Sequence, residues 1–385
     1  MPPVNAPYRP EGLSARPLHA RIHPDAVAHN LARLRAALSA GRGAPRLWAT
    51  VKADAYGHGV ARVLPALQDA DGLAVLHLDE ARACRRFGWQ GPILVYGGLY
   101  SPADTLLLDS PDLHLVITHA AQLAWLAQAP LAHPPAIWLR FAGDIHHTGF
   151  SADAYRNAFG IASELCRRGL AGEVGHLNHY ARADEPDGVD DADAVFRRLI
   201  DGLPGPVSTS NSAALLKHAT RAAGTQWVRP GLALYGASPF ADTSAEALDL
   251  RPAMSLHSQV VGIQRVNAGA GVGYGGAFAA PDVMDVGIVT CGYADGYPRH
   301  APTGTPVIVD GVRTRLLGRV SMDMMAVDLG PVPHACIGAP VTLWGAGGLA
   351  VEEVAASAGT IAADLLTGLS ARVPAQLARG ASPAH

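Results

Sequence analysis

Residues 47–59 read Leu-Trp-Ala-Thr-Val-Lys-Ala-Asp-Ala-Tyr-Gly-His-Gly: an apolar run expected to be a strand from Leu47 to Ala53, a lysine near its end, and a glycine-flanked turn. An open, doubly wound α/β sheet usually carries a G-x-G-x-x-G turn after its first strand, where backbone amides meet a pyrophosphate. Here that place holds Lys52 and Tyr56, which turns the reading toward a closed barrel. At the apolar end of a barrel strand a lysine loses hydration and its ammonium pKa falls. The neutral amine can then attack an aldehyde to form an imine, and pyridoxal phosphate is the usual aldehyde. Taken alone, Lys52 is equally readable as a strand-end lysine that snorkels to solvent.

Working outward, short apolar runs alternate with helix-like stretches between about Pro17 and Phe240, the signature of repeated βα units and a parallel sheet. Strands are expected at Leu47 to Ala53, Leu73 to Leu78, Ile93 to Gly97, Leu113 to Thr118, Ile137 to Phe141, Val174 to His179, Val207 to Thr209 and Trp227 to Leu234. Eight units suggest a (β/α)8 barrel of the TIM type. After Pro239 the texture changes to strand-like runs and glycine turns, at Ser258 to Val266, Val283 to Cys291, Thr305 to Val309, Arg313 to Gly318 and Met324 to Leu329. Only Val351 to Leu369 regains helical texture, interrupted by Gly359. The expected organisation is α/β: an N-terminal extension over 1–17, a barrel over 18–243 and a mainly β domain over 244–385.

Composition sets outer bounds. A chain of 385 residues has room for a barrel of roughly 250 residues and a second domain. It is 49% hydrophobic and 16% charged with a net charge of −3, which fits a folded protein and argues against nucleic acid or an anionic membrane as partner. The four cysteines, Cys84, Cys166, Cys291 and Cys336, form no CxxC pair, so they are read as reduced, mostly buried thiols with neither a metal site nor a disulfide framework. The first twenty residues include Pro2, Pro3, Pro7, Arg9 and Glu11 and lack the apolar run of a secretory signal, so the cytoplasm is the expected compartment. No segment approaches the roughly 20 apolar residues of a spanning helix.

Catalytic groups of an α/β barrel sit at the carboxyl ends of its strands. Lys52 falls there, with Arg140 ending the fifth run, His179 ending the sixth, Asn211 and Ser212 after the seventh, and Arg229 on the eighth. Each also has a plain reading: Ser212 as a helix cap, His179 as a satisfied core histidine, Arg229 as an ion-pair partner, Tyr56 as a turn aromatic. Together they converge on one mouth. A phosphate would be held there by Ser212 and the amides near Gly231 and Leu232, with the Tyr56 hydroxyl opposite.

Four blocks carry a resemblance: VKADAYGHG at Val51, VRPGLALYGASP from Val228 to Pro239, GYADGYPR from Gly292 to Arg299, and GRVSMDM from Gly318 to Met324. Weaker echoes are HLNHYARADEP from His176, NSAALL from Asn211 and GLSARVP from Gly368. In this order, from about Leu18 to Pro374, they resemble the alanine racemase family, pyridoxal-phosphate enzymes with an N-terminal barrel and a C-terminal β domain. The resemblance implies that Lys52 forms the imine with the cofactor and is one acid–base group. Tyr293, otherwise a loop residue, is implied as the other, supplied by the partner subunit of a homodimer. It further implies that Arg229 contacts the pyridine nitrogen, that His179 lies beside it and tunes the tyrosine base, and that the Met322 amide meets the carboxylate of an amino-acid substrate.

Two departures stand out. The family's fifth strand runs into a lysine, often carbamylated, a DTG turn and an arginine that binds substrate carboxylate and cofactor. Here LRFAGDIHHTGF puts Arg140 at the lysine position and His147 at the arginine position. Arg140 is expected to take over part of the carboxylate contact, needing no carbamate, with His147 as a further substrate-side contact. Ala363 stands where the family usually has a tyrosine that narrows the substrate entrance, so a wider pocket and a racemase of broad or non-alanine specificity (serine, lysine, arginine) form the alternative. A pyridoxal-phosphate decarboxylase on the same plan would pair the pyridine nitrogen with a carboxylate and commonly use a cysteine as second base. Arg229 and Tyr293 oppose it.

Overall fold

The computed structural model describes residues 16–38, 44–218 and 224–378. In chain order the strands begin with β1 (His19–Ile22) and continue through β2 (Arg46–Thr50), β3 (Gly72–Val75), β4 (Ile93–Val95), β5 (Leu113–Ile117), β6 (Ala136–Arg140), β7 (Val174–Leu177), β8 (Val207–Ser208) and β9 (Trp227–Val228). Strands β2 to β9 pair in parallel, each with the next, and β9 returns to β2 through Arg46 opposite Trp227, closing the expected eight-stranded barrel. The barrel belongs to a compact unit spanning His23–Ala253.

Side-chain size explains how its interior fills. Trp48, Ala74, Leu94, Val116, Trp138, Leu177 and Trp227 form one buried cluster drawn from seven strands. Trp48 stacks on Trp227 at 3.9 Å, and the Trp138 indole donates to His114 Nδ1 at 3.0 Å. Such bulk needs small neighbours. A Cβ on Gly72 would lie 2.2 Å from the Trp48 ring, and one on Gly175 would lie 2.7 Å from that of Trp138. The alternation packs the layer densely without strain.

Helices cover the outside by the usual amphipathic rule. In Ala152–Arg167 the buried residues Tyr155, Ala158, Ala162 and Leu165 recur every three to four positions, and the Ser151 hydroxyl accepts the Ala154 amide to start the helix.

The second unit comprises Met254–Ala378 and the segment ending at Ile22. Its strands are β10 (Met254–Val266), β11 (Gly271–Val272), β12 (Phe278–Ala279), β13 (Met284–Val289), β14 (Pro306–Val309), β15 (Val312–Leu317), β16 (Met325–Asp328), β17 (Pro340–Trp344) and β18 (Ala375–Leu377). The long β10, with a register shift between Val260 and Gly262, pairs with β17 in one half and β13 in the other. The order β13-β16-β15-β14-β17-β10 thereby closes on itself, with β1 and β18 added beyond β10.

Several sequence expectations are corrected. His19–Ile22, counted with the barrel segment, pairs antiparallel with β10 and parallel with β18. The first barrel strand stops at Thr50 instead of Ala53, because Ala53 to Tyr56 adopt φ near +50° and leave the sheet. The last stops at Val228, and Leu232–Tyr235 forms a 3-10 turn. The helical stretch near the end is, as expected, broken at Gly359, into the two helices Val351–Ser357 and Ala362–Thr367. Of the cysteines, Cys84 and Cys291 are buried, Cys166 is half-buried and Cys336 exposed. Residues 1–15 of the expected extension and 379–385 lie outside the described residues. Among the described residues no helix is long and apolar enough to cross a membrane.

Candidate active site

The turn after β2 carries the longest left-handed run of non-glycine residues among the described residues. Ala53, Asp54, Ala55 and Tyr56 have φ of 54°, 50°, 57° and 52°. A left-handed run of non-glycine residues costs about 1–2 kcal/mol per residue, so something must hold it. The Asp54 carboxylate accepts the Val60 amide at 2.8 Å, and Glu80 accepts the Ala53 amide at 2.9 Å and the Leu76 amide at 2.6 Å. His58, fully buried, donates from Nδ1 to the Ala55 and Tyr56 carbonyls, both at 2.9 Å. Burial lowers its pKa to about 4 even though both carbonyl bonds favour the protonated ring, so the imidazole is neutral.

This turn aims two side chains. Lys52 stands before it, with Nζ 5.6 Å from the centre of the Tyr96 ring. Burial lowers its ammonium pKa; Glu80 opposes that shift, while Arg140 and Arg229 reinforce it. Tyr56 ends the turn, stacked on Tyr235 at 4.9 Å. Its hydroxyl lies so near Gly231 that a Cβ there would come within 2.5 Å of it.

Across the mouth, Arg229 is 3% exposed and is held by neutral acceptors: Ser208 Oγ at 2.5 Å, the Asn178 carbonyl at 2.7 Å and the Thr209 carbonyl at 3.3 Å. Burial lowers its pKa. His179 is driven down to about 3 by burial and then by the charges of Arg229, Arg140, Lys52 and His147, so its imidazole is neutral. Arg140 ends β6, and its Nε is buried without a protein partner. His147 is exposed.

Asn211, not Ser212, caps Ser212–Lys217, through Oδ1 to the Ala214 amide at 3.0 Å. That frees the Ser212 hydroxyl to accept the Gly231 amide at 2.9 Å and the Ala233 amide at 3.3 Å, tying the loops after β8 and β9 together. Two further polar groups are buried without protein partners, Ser210 Oγ and both side-chain atoms of Asn178.

The mouth thus gathers Lys52, Arg140, His179 and Arg229, with Tyr56, Ser212 and Gly231 beside it. Sequence reasoning missed Tyr96, whose hydroxyl is 3.3 Å from Thr50 Oγ1, and Glu80. Tyr96 directly follows β4, so the strand-end rule applied to the third run would have found it. Tyr293 and Met322 lie in the β unit, 38% and 51% exposed, in two turns bonded to each other. Among the described residues no group of three or more His, Cys, Asp or Glu could hold a metal ion.

Comparison with known proteins agrees over both units. The profile described as Alanine racemase, N-terminal domain, matches residues 22–239, and that described as Alanine racemase, C-terminal domain, matches 253–377. A curated protein of Bordetella avium named Alanine racemase is 52% identical over 93% of this chain and 98% of its own length. One of Bordetella petrii with the same name is 50% identical over 93% and 98%. The crystal structure of biosynthetic alanine racemase from Pseudomonas aeruginosa superposes with a TM-score of 0.87 at 40% identity, covering 94% of this chain and 100% of that one.

Proposed function

This chain belongs to the alanine racemase family, and from that premise we propose that it interconverts L- and D-alanine by a two-base mechanism with pyridoxal phosphate. The observation that carries the reading is the mouth itself: Arg140 and Arg229 are cationic, Lys52 is an amine whose pKa burial lowers, Glu80 is the carboxylate that acts on it, and His179 is neutral. Such a cluster suits a ligand with a phosphate and a carboxylate. Pyridoxal phosphate fits the donor set: an amine of lowered pKa for its aldehyde, a buried guanidinium for its ring, and a hydroxyl-and-amide cradle where a Cβ at Gly231 would intrude. When bound, it supplies the electron sink that makes the substrate α-proton removable.

The chain's own residues do the rest. Ser212 and the amides of Gly231 and Leu232 would hold the cofactor's phosphate, with Asn211 fixing the helix beneath and Tyr56 reaching in from the first turn. Arg229 would lie against the pyridine nitrogen of the bound cofactor and keep its own proton, since a guanidinium remains charged even when burial lowers its pKa. Lys52, as a neutral amine, takes or returns the α-proton on one face, and the Tyr293 phenol does so on the other. Tyr293 comes from the partner subunit, so the working unit is a homodimer with shared sites. His179 stands beside Arg229 as a neutral group that tunes the tyrosine. The Met322 amide and Arg140 receive the substrate carboxylate, with His147 outside them.

Chiral chromatography of a panel of L-amino acids incubated with the purified protein and pyridoxal phosphate tests this. Alanine is expected to racemise ahead of serine, lysine and arginine, with Lys52→Ala and Tyr293→Phe each slowed by about 10²–10⁴-fold. No racemisation of any amino acid, in protein that carries bound cofactor by its visible absorbance, would overturn the reading.

A further inference from the structure

Just before β1, Arg16 sends its guanidinium into the two turns that carry Tyr293 and Met322. Nη1 and Nη2 donate to the two carboxylate oxygens of Asp295 at 2.6 and 2.7 Å. Nη2 also reaches the Asp323 carbonyl at 2.7 Å, and Nε the Thr290 hydroxyl at 2.6 Å. Asp295 is fully buried, lies two residues beyond Tyr293, and accepts the Gly292 amide at 2.9 Å. Asp323 directly follows Met322. One planar group is therefore anchored on both turns.

The surroundings hold the same two turns together, and Arg16 is the group among them that meets Asp295 bidentately. Arg372 also reaches both turns, with Nε 3.4 Å from the same Asp295 Oδ1 and Nη2 2.5 Å from the Asp323 carboxylate. The two turns also bond directly, Tyr293 N to the Ser321 carbonyl and Ala294 N to the Met322 carbonyl, both at 3.0 Å. They approach so closely that a Cβ on Gly292 would lie 2.4 Å from the Met322 carbonyl oxygen. The Tyr293 side chain is itself 38% exposed, so the placement of its hydroxyl is inherited largely from the backbone beneath it.

We infer that Arg16 is a positioning residue for proton transfer at Tyr293, locking the tyrosine turn and the Met322 turn at one separation so that the phenol and the carboxylate-binding amide address the same substrate. The inference rests on the roles given above to Tyr293 and Met322. Its chemical basis is the fork of the guanidinium, which satisfies a carboxylate bidentately and still has donors for a third and fourth acceptor, whereas a lysine supplies only a compact point charge. A displacement of about 1 Å in a reacting group is enough to cost roughly 100-fold in rate.

The test uses the full-length holoenzyme with Arg16→Lys and Arg16→Ala, assayed from each enantiomer of alanine with either a proton or a deuteron at the α-carbon, alongside thermal melting. The expected result for Arg16→Lys is a 10- to 100-fold fall in kcat and an isotope effect that rises in one direction of the reaction only, since only transfers through Tyr293 are slowed. Added guanidinium ion is expected to restore part of the rate to Arg16→Ala. Unchanged kcat and isotope effects in Arg16→Lys, or a loss whose isotope effects change equally in both directions and which tracks the melting temperature, would overturn the inference. Tyr293→Phe separates the two levels: full activity there removes the assignment of Tyr293 itself, whereas a dead Tyr293→Phe beside an unaffected Arg16→Lys removes only the role of Arg16.

Discussion

Glu80 accepts the Ala53 amide at 2.9 Å with one carboxylate oxygen and the Leu76 amide at 2.6 Å with the other, so a single side chain ties the end of β3 to the left-handed turn beyond Lys52. The same charge raises the Lys52 pKa against the larger effect of burial. Glu80→Gln keeps an acceptor but loses the charge, so the Lys52 pKa is expected to fall further. The acid limb of the kcat/KM profile moves to lower pH, and cofactor retention weakens about 10-fold through loss of roughly 1.5 kcal/mol of charge-assisted bonding. A pH profile that coincides with the parent's would show that Glu80 does not act on Lys52.

Arg140 holds a buried Nε without a protein partner at the position where the family has a carbamylated lysine. If it receives the substrate carboxylate, Arg140→Ala is expected to lower kcat/KM by about 10- to 100-fold, with most of the change in apparent affinity. Turnover of the parent protein should be the same in carbon-dioxide-depleted buffer as in bicarbonate, because a guanidinium forms no carbamate. Wild-type kinetics in the alanine variant would defeat this role for Arg140.

Ala363 lies half-buried in Ala362–Thr367, and its carbonyl accepts the Thr367 hydroxyl at 2.7 Å. If residue 363 faces the substrate entrance, a methyl in place of a tyrosine ring leaves space there on the order of 100 Å3. Ala363→Tyr is expected to leave alanine turnover within about 3-fold while reducing serine and lysine racemisation by 10-fold or more, since a filled pocket excludes added atoms more strongly than it gains from small ones. Chiral assays on the three substrates decide it, and an unchanged ratio of rates would mean that residue 363 does not face the substrate.

What the sequence announced, and what it did not, follows from the range of the interactions involved. The barrel strands were legible because buried parallel strands are short apolar runs separated by helix-length segments. The end of β2 was not. Ala53 to Tyr56 turn left-handed without a glycine among them, held by Glu80 and His58, which lie outside the run. β1 and β18, of four and three residues, are defined by partners far along the chain, and nothing in His-Ala-Arg-Ile or Ala-Gln-Leu marks a strand alone. For the same reason the Arg16–Asp295 pair, 279 residues apart, left no local trace, although the Tyr293 turn that it grips stood out as GYADG.

The barrel also carries a stability that depends on pH. His58 and His114 are both pushed down to about 4 by burial, against an ordinary value of 6.5. Burial keeps the first neutral against the two carbonyl bonds at its Nδ1, which favour the proton, and the second is neutral also because its Nδ1 accepts the Trp138 indole. In the unfolded chain each takes up its proton near pH 6.5, in the folded chain only near 4, so between these values the unfolded state binds more protons. Stability is therefore fully present above about pH 6.5 and declines as the pH falls toward 4, by up to about 1.4 kcal/mol per pH unit for each ring. Urea midpoints of the cofactor-free protein at pH 7.5, 6.0 and 5.0 measure the slope. His114→Phe, which cannot titrate, is expected to flatten it even though the variant starts from a lower stability through the lost indole bond. An equal slope in that variant would mean that the His114 ring is protonated inside the barrel, which its bond to Trp138 forbids.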